Sequence, residues 1–263
     1  MNLGEPIATG RTAEIYAYGE GQVVKLLKDG FDQGTLDREA DKAAAASEAG
    51  VPSPAVLDRV EIDGRYGIVF AEVDGDLLVD DIALAPQRLG HWGRIFADIH
   101  SSVLARTSTE LPSVVEKLRI QIDEADLPGP QASAAQAQLD VLGEGDRILH
   151  GDFHPANVMI NEAGEYSVID WVDASRGHPA ADIARTSWLI SAATVSDGLQ
   201  ARMLITAMQA AYRRSYLKRI LRRTGVTKRE VKAWRLPVVA ARLSEGVDNE
   251  EEALRAEVAK LAR

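Results

Sequence analysis

Residues 148–173 read ILHGDFHPANVMINEAGEYSVIDWVD, in which short apolar runs alternate with polar turns. Apolar and β-branched runs of this length predict strands, and polar residues with a glycine between two such runs predict a turn. The runs are Ile148-Leu149, Val158–Ile160 and Ser167–Ile169, and the turn is Asn161–Gly164. The last two runs form a predicted hairpin, which returns Asp170 to the side of Asn157.

Three oxygen-bearing side chains lie at loop positions beside these strands, namely Asp152, Asn157 and Asp170. Phosphoryl transfer requires a carboxylate that orients the attacking hydroxyl and accepts its proton. It also requires hard oxygen ligands for Mg²⁺ on the nucleotide phosphates. Asp152 fits the first role, and Asn157 with Asp170 fits the second. The structural alternative is that both aspartates only cap loops.

The motifs HGDFHPAN and VIDW resemble the catalytic and metal-binding loops of the aminoglycoside phosphotransferase and choline kinase-like family. The resemblance implies an α+β, bilobal protein-kinase-like fold. Residues 1–73 are then an N-terminal nucleotide-binding lobe, built from a small antiparallel β-sheet and one helix. Residues 74–263 form a mainly helical C-terminal lobe that carries the catalytic and metal-binding loops. ATP and Mg²⁺ are the implied cofactors, with GTP as the alternative nucleotide.

The histidines of the same stretch allow a second interpretation. His150, Asp152 and His154 alternate as a metal-ligand cluster would, and imidazole with carboxylate suits zinc or iron better than magnesium. A metal-dependent hydrolase of that kind draws on further histidines, whereas this chain has five in all. The family resemblance instead implies that the His150 ring bonds backbone around the loop, and a satisfied core histidine is the structural alternative. The role of His154 stays open.

The first fifty residues predict the part of such a fold that binds the nucleotide phosphates. Strands flank the turn Gly10-Arg11-Thr12, which in a kinase-like fold covers the phosphates with backbone N–H groups, although this turn holds a single glycine. Lys25 takes the position of the family lysine that holds the α and β phosphates. Its expected partner is Glu39, on a helix predicted over residues 36–49 with Thr35 as its cap. The alternatives to this pair are Lys28, Asp37 and Asp41.

The stretch Phe70–Gly75 resembles the family's hinge, where the adenine edge bonds to backbone. The Ala71 C=O and the Val73 N–H are the expected partners. Asp182 resembles the aspartate that anchors the catalytic loop through backbone hydrogen bonds. Eleven residues separate Asp170 from Asp182, too few for the long activation segment of a protein kinase, and this favours a small-molecule acceptor.

The composition is that of ordinary globular material, with 46% hydrophobic residues in a chain of 263 and no cysteine. Without cysteine, neither disulfides nor thiolate metal sites can form, which agrees with a reducing compartment. No apolar run reaches the roughly 20 residues of a membrane helix, and the N-terminus does not resemble a signal peptide. The sequence therefore predicts a soluble cytoplasmic protein that makes no membrane contact, and it specifies no oligomeric state.

The formal net charge of −10 is unevenly distributed along the chain. Residues 201–235 hold eleven Lys/Arg and one acid, so the remaining sequence is strongly acidic and disfavours nucleic acid as a partner. Related phosphotransferases hold cationic acceptors with acidic residues of the helical lobe. The resemblance thus implies a cationic hydroxyl compound, with the acidic residues of 244–252 as candidate contacts. The basic helix predicted over 202–223 would suit an anionic acceptor if it faced the cleft.

Together these features predict an ATP-dependent kinase that moves the γ-phosphoryl group to a hydroxyl of an aminoglycoside-, choline- or sugar-like molecule. The single-glycine turn keeps a nucleotide-binding pseudokinase without turnover as the first alternative. A protein kinase is the second alternative, and the metal-dependent hydrolase is the third.

Overall fold

The computed structural model describes residues 3–192, 199–247 and 249–263. The chain divides into two compact units. The first contains the residues up to Leu78 together with Asn157–Val172, and the second contains Val79–Ala156 together with Asp173–Arg263.

Ten strands lie in the described residues. In chain order they are β1 (Ala8–Thr9), β2 (Ala13–Ala17), β3 (Gln22–Leu27), β4 (Val56–Ile62), β5 (Arg65–Ala71), β6 (Asp76–Leu77), β7 (Arg147–Leu149), β8 (Val158–Ile160), β9 (Tyr166–Val168) and β10 (Ser175–Gly177). The first five form one antiparallel sheet in the order β1-β2-β3-β5-β4, which is the small sheet that the sequence predicts. A three-stranded sheet has the order β6-β8-β9, and β7 pairs with β10.

Nine α-helices lie in the same described ranges, and one of them, α1, is inserted between β3 and β4. They are α1 (Gln33–Glu48), α2 (Leu78–Leu84), α3 (Leu89–Val103), α4 (Val114–Glu124), α5 (Gly129–Val141), α6 (Pro179–Ala192), α7 (Leu199–Thr224), α8 (Lys228–Arg242) and α9 (Glu251–Leu261). None of the described helices combines the length and the apolar character that crossing a membrane requires.

The central strand β3 presents different residues to the two faces of the first sheet. Val24 and Leu26 belong to a buried cluster on one face. Leu27 belongs to a second cluster, which also contains Leu36 of α1. Because side chains alternate along a strand, Lys25 lies on the same face as Leu27, the face that α1 covers. This alternation explains how a lysine at the centre of a sheet comes to face a helix.

The start of α1 differs from the sequence prediction. Asp32 is the N-cap instead of Thr35, and its Oδ1 accepts hydrogen bonds from the Thr35 N–H at 2.8 Å and the Thr35 hydroxyl at 2.7 Å. A carboxylate at this position satisfies a free N–H and interacts favourably with the helix dipole. The sequence interpretation placed the cap too late because Gly34 resembles a loop residue, whereas the Asp32 side chain holds it within the first turn.

The hairpin β8-β9 forms as predicted and belongs to the first unit. Three contacts within the first unit hold it there. β8 pairs with β6, and the Val168 N–H donates to the Pro52 C=O at 2.8 Å. Gly75 approaches β8 so closely that a Cβ on it would lie 2.5 Å from the Ile160 oxygen. The division into lobes of residues 1–73 and 74–263 remains a prediction.

An aromatic cluster forms part of the core of the second unit. Phe96 and His100 of α3 stack on Phe153, with ring centroids 4.6 Å and 4.1 Å away. The His100 ring also shares a 2.8 Å hydrogen bond with the hydroxyl of Tyr216 on α7. All four side chains are fully buried. The predicted structural role of His100 agrees with this packing, and Phe153 ties the loop after β7 to the core.

Candidate active site

Three predicted site residues of the first unit meet around one ammonium group. Lys25 Nζ lies 2.5 Å from Glu39 Oε1 on α1 and 2.9 Å from Asp170 Oδ1, just beyond β9. Lys25 and Glu39 are 12% and 5% exposed, whereas Asp170 is 42% exposed. The ammonium group therefore connects a buried carboxylate to one that solvent reaches.

Burial and charge act in opposite directions on this cluster. Burial lowers the pKa of Lys25, but the carboxylates of Asp170 and Glu39 outweigh that effect, so the pKa lies above its usual value. Burial raises the pKa of Glu39, and the charge of Lys25 offsets only part of the rise. Lys25 therefore remains a fixed positive charge at neutral pH, which is what holding phosphate oxygens requires.

The proposed metal ligands, Asn157 and Asp170, stand at the two ends of the hairpin. Val158 and Val168 are paired, and the Ile169 N–H donates to the Asn157 C=O at 3.0 Å, so that Asp170 follows directly on the residue bonded to Asn157. Asn157 is buried. Carboxylate and amide oxygens are hard donors and fit Mg²⁺.

Asp170 has a left-handed backbone conformation, with φ at 65°. Such a conformation costs on the order of 1–3 kcal/mol for a residue other than glycine, and aspartate tolerates it better than most. Contacts on both sides of the residue maintain it. The Trp171 indole N–H donates to the Val168 C=O at 3.0 Å, and Lys42 Nζ on α1 donates to the Val172 C=O at 2.6 Å. The sequence analysis did not single out Lys42, although it follows Glu39 by three residues on the same helix.

The alternatives to the Lys25–Glu39 pair have other partners. Lys28 Nζ donates to the Gly10 C=O at 2.7 Å. Asp37 and Asp41 both contact the guanidinium of Arg59, at 3.2 Å and 2.5 Å. The structure therefore brings together Lys25 and Glu39, the pair that the sequence favours. The three alternative side chains bind other groups of the first unit.

The remaining predicted nucleotide contacts lie on the first sheet. In the turn between β1 and β2, the Gly10 N–H donates to the Ala13 C=O at 2.8 Å, and the Thr12 C=O accepts from the Lys28 N–H at 2.9 Å. At the end of β5, the Ala71 N–H donates to the Ala55 C=O at 3.0 Å. Val73 is half-buried and follows two residues later. The nucleotide contacts assigned to these four residues stay predictions.

Asp152 belongs to the second unit, where positively charged or protonatable groups surround its carboxylate. His154 Nε2 lies 3.3 Å from Oδ2, and Arg185 Nη2 lies 3.8 Å from Oδ1. Burial alone would raise the pKa of Asp152, but the hydrogen bond with His154 and the charge of Arg185 hold it well below its usual range. Asp152 is therefore ionised at neutral pH and can accept a hydrogen bond from an attacking hydroxyl.

The backbone before Asp152 is fixed by Asp182 in the first turn of α6. The two Asp182 carboxylate oxygens accept the N–H groups of His150, at 2.7 Å, and Gly151, at 2.9 Å. The His100 ring lies 3.1 Å from the same carboxylate. These are the backbone hydrogen bonds that the resemblance implies for Asp182.

Glycine is required at position 151 for two reasons. Its φ is 80°, and a Cβ on it would lie 2.3 Å from the Asp173 oxygen. The Asp173 side chain is also bound, since Lys117 Nζ contacts its Oδ1 at 2.6 Å. Burial opposes ionisation of Asp173, but Lys117 and Arg185 lower its pKa overall. Lys117 and Asp173 are further residues near the catalytic loop that the sequence analysis did not single out.

The histidine-based alternative has little support from the geometry. The His150 Nδ1 accepts the backbone N–H of Asp152 at 3.2 Å, which is a scaffolding role inside a buried loop. In the described part of the chain, no group of three His, Cys, Asp or Glu side chains is placed to hold a metal ion.

Two predicted acceptor contacts, Glu245 and Glu250, are bound to arginines instead. Glu245 makes two contacts with Arg185, at 2.6 Å and 3.0 Å, and one with Arg242 at 2.6 Å. Glu250 is buried, binds Arg242 at 2.6 Å, and accepts the Trp188 indole N–H at 2.8 Å. These two carboxylates form internal ion pairs, which disfavours the prediction that they hold a cationic acceptor.

Other charged side chains of the same regions also have internal partners. Glu251 binds Arg255 of its own helix at 2.8 Å, and Asp248 lies outside the described residues. Within the basic segment, Arg219 and Arg223 both contact Asp98, at 2.8 Å and 2.7 Å. The charges counted from the sequence in residues 244–252 and 201–235 are therefore partly neutralised by ion pairs within the second unit.

Residues 4–234 match the family model of the phosphotransferase enzyme family, known as APH. Among solved structures, the chain is similar to aminoglycoside phosphotransferase APH(4)-Ia in ternary complex with AMP-PNP and hygromycin B. The identity is 16%, 98% of this chain and 92% of that chain are covered, and the TM-score is 0.66. It is also similar to APH(3'')-Id from Streptomyces rimosus with ADP and streptomycin, at 16% identity, 90% and 91% coverage and a TM-score of 0.59.

A third similar structure is that of ADP-bound APH(2'')-Ib, at 15% identity, 100% and 93% coverage and a TM-score of 0.57. A comparison with curated protein sequences finds no match. The structural likenesses confirm the predicted α+β, protein-kinase-like fold. The family match confirms the resemblance drawn from residues 148–173.

The Lys25–Glu39 pair predicts strong coupling between two substitutions. Removing one partner of a buried pair leaves the other charge uncompensated, so Lys25→Met and Glu39→Gln should each lower the free energy of unfolding. The double variant should lose less than the sum, with a coupling energy of about 0.5–3 kcal/mol. Urea unfolding of the wild type, the two single variants and the double variant measures this coupling energy. Lys28→Met is the matched control and should not couple to Glu39→Gln, and additivity of the Lys25 and Glu39 effects would contradict the pairing.

Asp182 predicts a pH dependence of stability. Burial raises its pKa, but the His100 hydrogen bond and the charges and N–H around it lower the pKa below the usual value. A carboxyl group whose pKa is depressed on folding stabilises the protein above about pH 4, and that contribution is lost as the pH falls through the folded-state pKa. Asp182→Asn should therefore be much less stable than wild type at neutral pH, and the difference should narrow in acid. Urea unfolding across this range measures the difference, and Asp29→Asn in an exposed loop should show no such convergence.

Proposed function

This chain belongs to the phosphotransferase enzyme family, and we propose that it transfers the γ-phosphoryl group of ATP to a hydroxyl of a small molecule. The observation that carries this proposal is the convergence of Lys25, Glu39 and Asp170 in the first unit, on the hairpin that also bears Asn157. A structural ion pair has no need of a third carboxylate that stays open to solvent. A phosphate-holding lysine next to a metal ligand accounts for all of these residues.

In the proposed reaction, the acceptor hydroxyl oxygen forms a bond to the γ-phosphorus while the bond from that phosphorus to the β,γ-bridging oxygen breaks, releasing ADP. The hydroxyl proton passes to Asp152. Because the pKa of Asp152 is depressed, its carboxylate is a weak base that orients the hydroxyl and takes the proton late. Such timing fits phosphoryl transfer, in which positioning and charge stabilisation supply most of the catalysis.

The first unit supplies the proposed nucleotide contacts. Lys25, oriented by Glu39, holds the α and β phosphates, and the backbone of Gly10 and Thr12 covers them. The Ala71 C=O and the Val73 N–H bind the base. ATP is the proposed nucleotide, with GTP as the alternative. Asn157 and Asp170 would hold Mg²⁺, which neutralises phosphate charge when bound.

The proposed acceptor is a small cationic hydroxyl compound. The similar structures named above were solved with hygromycin B and streptomycin, and the net charge of this chain is −10. The exposed acids of the second unit are the candidates for its recognition, since Glu245 and Glu250 are bound to arginines. The proposal places the enzyme in the cytoplasm, where ATP and Mg²⁺ are supplied.

Asp152 and Asp170 should fail in different ways when each is changed to asparagine. Asp152→Asn should keep Mg²⁺-ATP affinity and lose turnover by about 10²–10⁴-fold, because it removes only the group that accepts the hydroxyl proton. Asp170→Asn should also weaken the Mg²⁺-dependent part of ATP binding. Calorimetric titration with ATP, with and without Mg²⁺, separates the two effects.

Asp58→Asn on an exposed position of β4 is the matched control and should change neither quantity. Equal loss of nucleotide affinity in the two site variants would overturn the assigned roles. Mg²⁺-ATP binding by the wild type, with no phosphorylation across a panel of aminoglycosides, choline and sugars, would instead favour the pseudokinase alternative.

The charge of the acceptor predicts a response to salt. Screening lengths fall from about 30 Å at 0.01 M to about 3 Å at 1 M ionic strength, so the KM for a cationic acceptor should rise with salt. Steady-state kinetics with hygromycin B, streptomycin, a neutral sugar and a sugar acid tests this expectation. A far higher kcat/KM for a neutral or anionic compound than for any cation would refute a cationic acceptor.

A further inference from the structure

Arg185 lies on α6, three residues after Asp182, which places both side chains on one face of the helix. Asp182 holds the backbone before Asp152, and Arg185 Nη2 lies 3.8 Å from the Asp152 carboxylate. The Arg185 side chain is 8% exposed. A single turn of α6 therefore does two things. Asp182 holds the backbone of the catalytic loop, and Arg185 faces the Asp152 carboxylate.

The Arg185 guanidinium is itself held rigidly. Glu245 accepts two hydrogen bonds from it, at 2.6 Å and 3.0 Å, in the paired geometry that fixes a planar guanidinium. Glu245 is held in turn by Arg242, and Arg242 makes two further bonds to Glu250, at 2.9 Å and 2.6 Å. This chain of ion pairs links α6 to α8 and to the turn that follows it.

We propose that Arg185 is a positioning residue for phosphotransfer, a counter-charge anchored by Glu245 that holds the Asp152 carboxylate in place for the acceptor hydroxyl. This inference rests on the proposed function, because it assumes that Asp152 orients the acceptor hydroxyl. Arg185 gives its close hydrogen bonds to Glu245, so it acts on Asp152 by charge across 3.8 Å.

The other charged groups that face Asp152 cannot replace Arg185. His154 Nε2 is near, at 3.3 Å, and charge on the His150 ring also lowers the pKa of Asp152, but an imidazole carries charge only when protonated. Asp173 repels Asp152, although Lys117 partly neutralises it. A guanidinium is charged at every working pH. Arg185 is thus the permanent positive charge among the groups identified around Asp152.

The test uses a double variant and a matched single variant. Arg185→Gln with Glu245→Gln removes the positive charge and leaves a neutral amide pair in place of the ion pair, so that no charge is buried alone. Glu245→Gln alone keeps the charge of Arg185. Carbon-13 NMR of aspartate carboxyl groups, in protein without nucleotide or acceptor, follows Asp152 directly, and its signal is assigned by its disappearance in Asp152→Asn.

The titration midpoint of Asp152 should rise by about one pH unit or more in the double variant, because an opposite charge at this distance lowers a carboxyl pKa by about that amount. It should not rise in Glu245→Gln. An unchanged midpoint in a double variant that unfolds cooperatively would reduce Arg185 to a structural residue and overturn the inference.

Arg185→Lys gives an independent test if the double variant does not fold. It keeps the charge but loses the planar fork, so the Asp152 midpoint should stay low while kcat falls. A rise as large as the one expected for the double variant would show that charge is not the cause and would also overturn the inference. The NMR result is separate from the proposed function, because a shifted midpoint in a protein that phosphorylates nothing would contradict only the function.

Discussion

Burying a charge costs several kcal/mol unless an opposite charge or a set of hydrogen bonds compensates it, and this constraint organises both units. In the first unit, Lys25 satisfies the constraint through Glu39 and Asp170. In the second, Asp182 accepts two backbone N–H groups, and Arg185 is held by Glu245. Removing one partner weakens the compensation of the charge that stays buried. The compensation thus fixes the positions of side chains that come from distant parts of the sequence.

The same interactions place the groups that chemistry needs. Asp170 keeps its left-handed backbone because Lys25 bonds its carboxylate and Lys42 bonds the carbonyl two residues later. Gly151 approaches Asp173 closely enough to exclude any side chain, and Asp182 holds the backbone on that approach. One residue with a strained backbone and one close backbone approach therefore lie beside the proposed ligands and the proposed base. Rigid supports of this kind hold the reacting groups in position, which lowers the entropic cost of reaching the reactive geometry.

The sequence predicts the hairpin well, because it depends on neighbouring residues: the strand periods and the turn of residues 148–173 give it. The pair of Lys25 with Glu39 follows instead from the family resemblance. The predicted N-cap of α1, Thr35, was wrong, because Gly34 resembles a loop residue although the helix begins before it, with Asp32 as the N-cap. The link from Arg185 to Glu245 spans sixty residues and has no periodic signal, so only the structure reveals it. In the sequence, the spacing of three residues between Asp182 and Arg185 indicates only that the two side chains share a face of a helix.

The net charge counted from the sequence overestimates the charge that is available to an acceptor, for a related physical reason. The acids after residue 244 enter the net charge as if they were free, but Glu245 and Glu250 neutralise Arg185 and Arg242 inside the second unit. A sum over the sequence gives the field at long range, whereas recognition of an acceptor depends on the charges that remain unpaired at the surface. Paired carboxylates contribute little to that field, and for Glu245 we propose a different role, that of anchoring Arg185. By holding Arg185, Glu245 connects the C-terminal helices to the charge that faces Asp152.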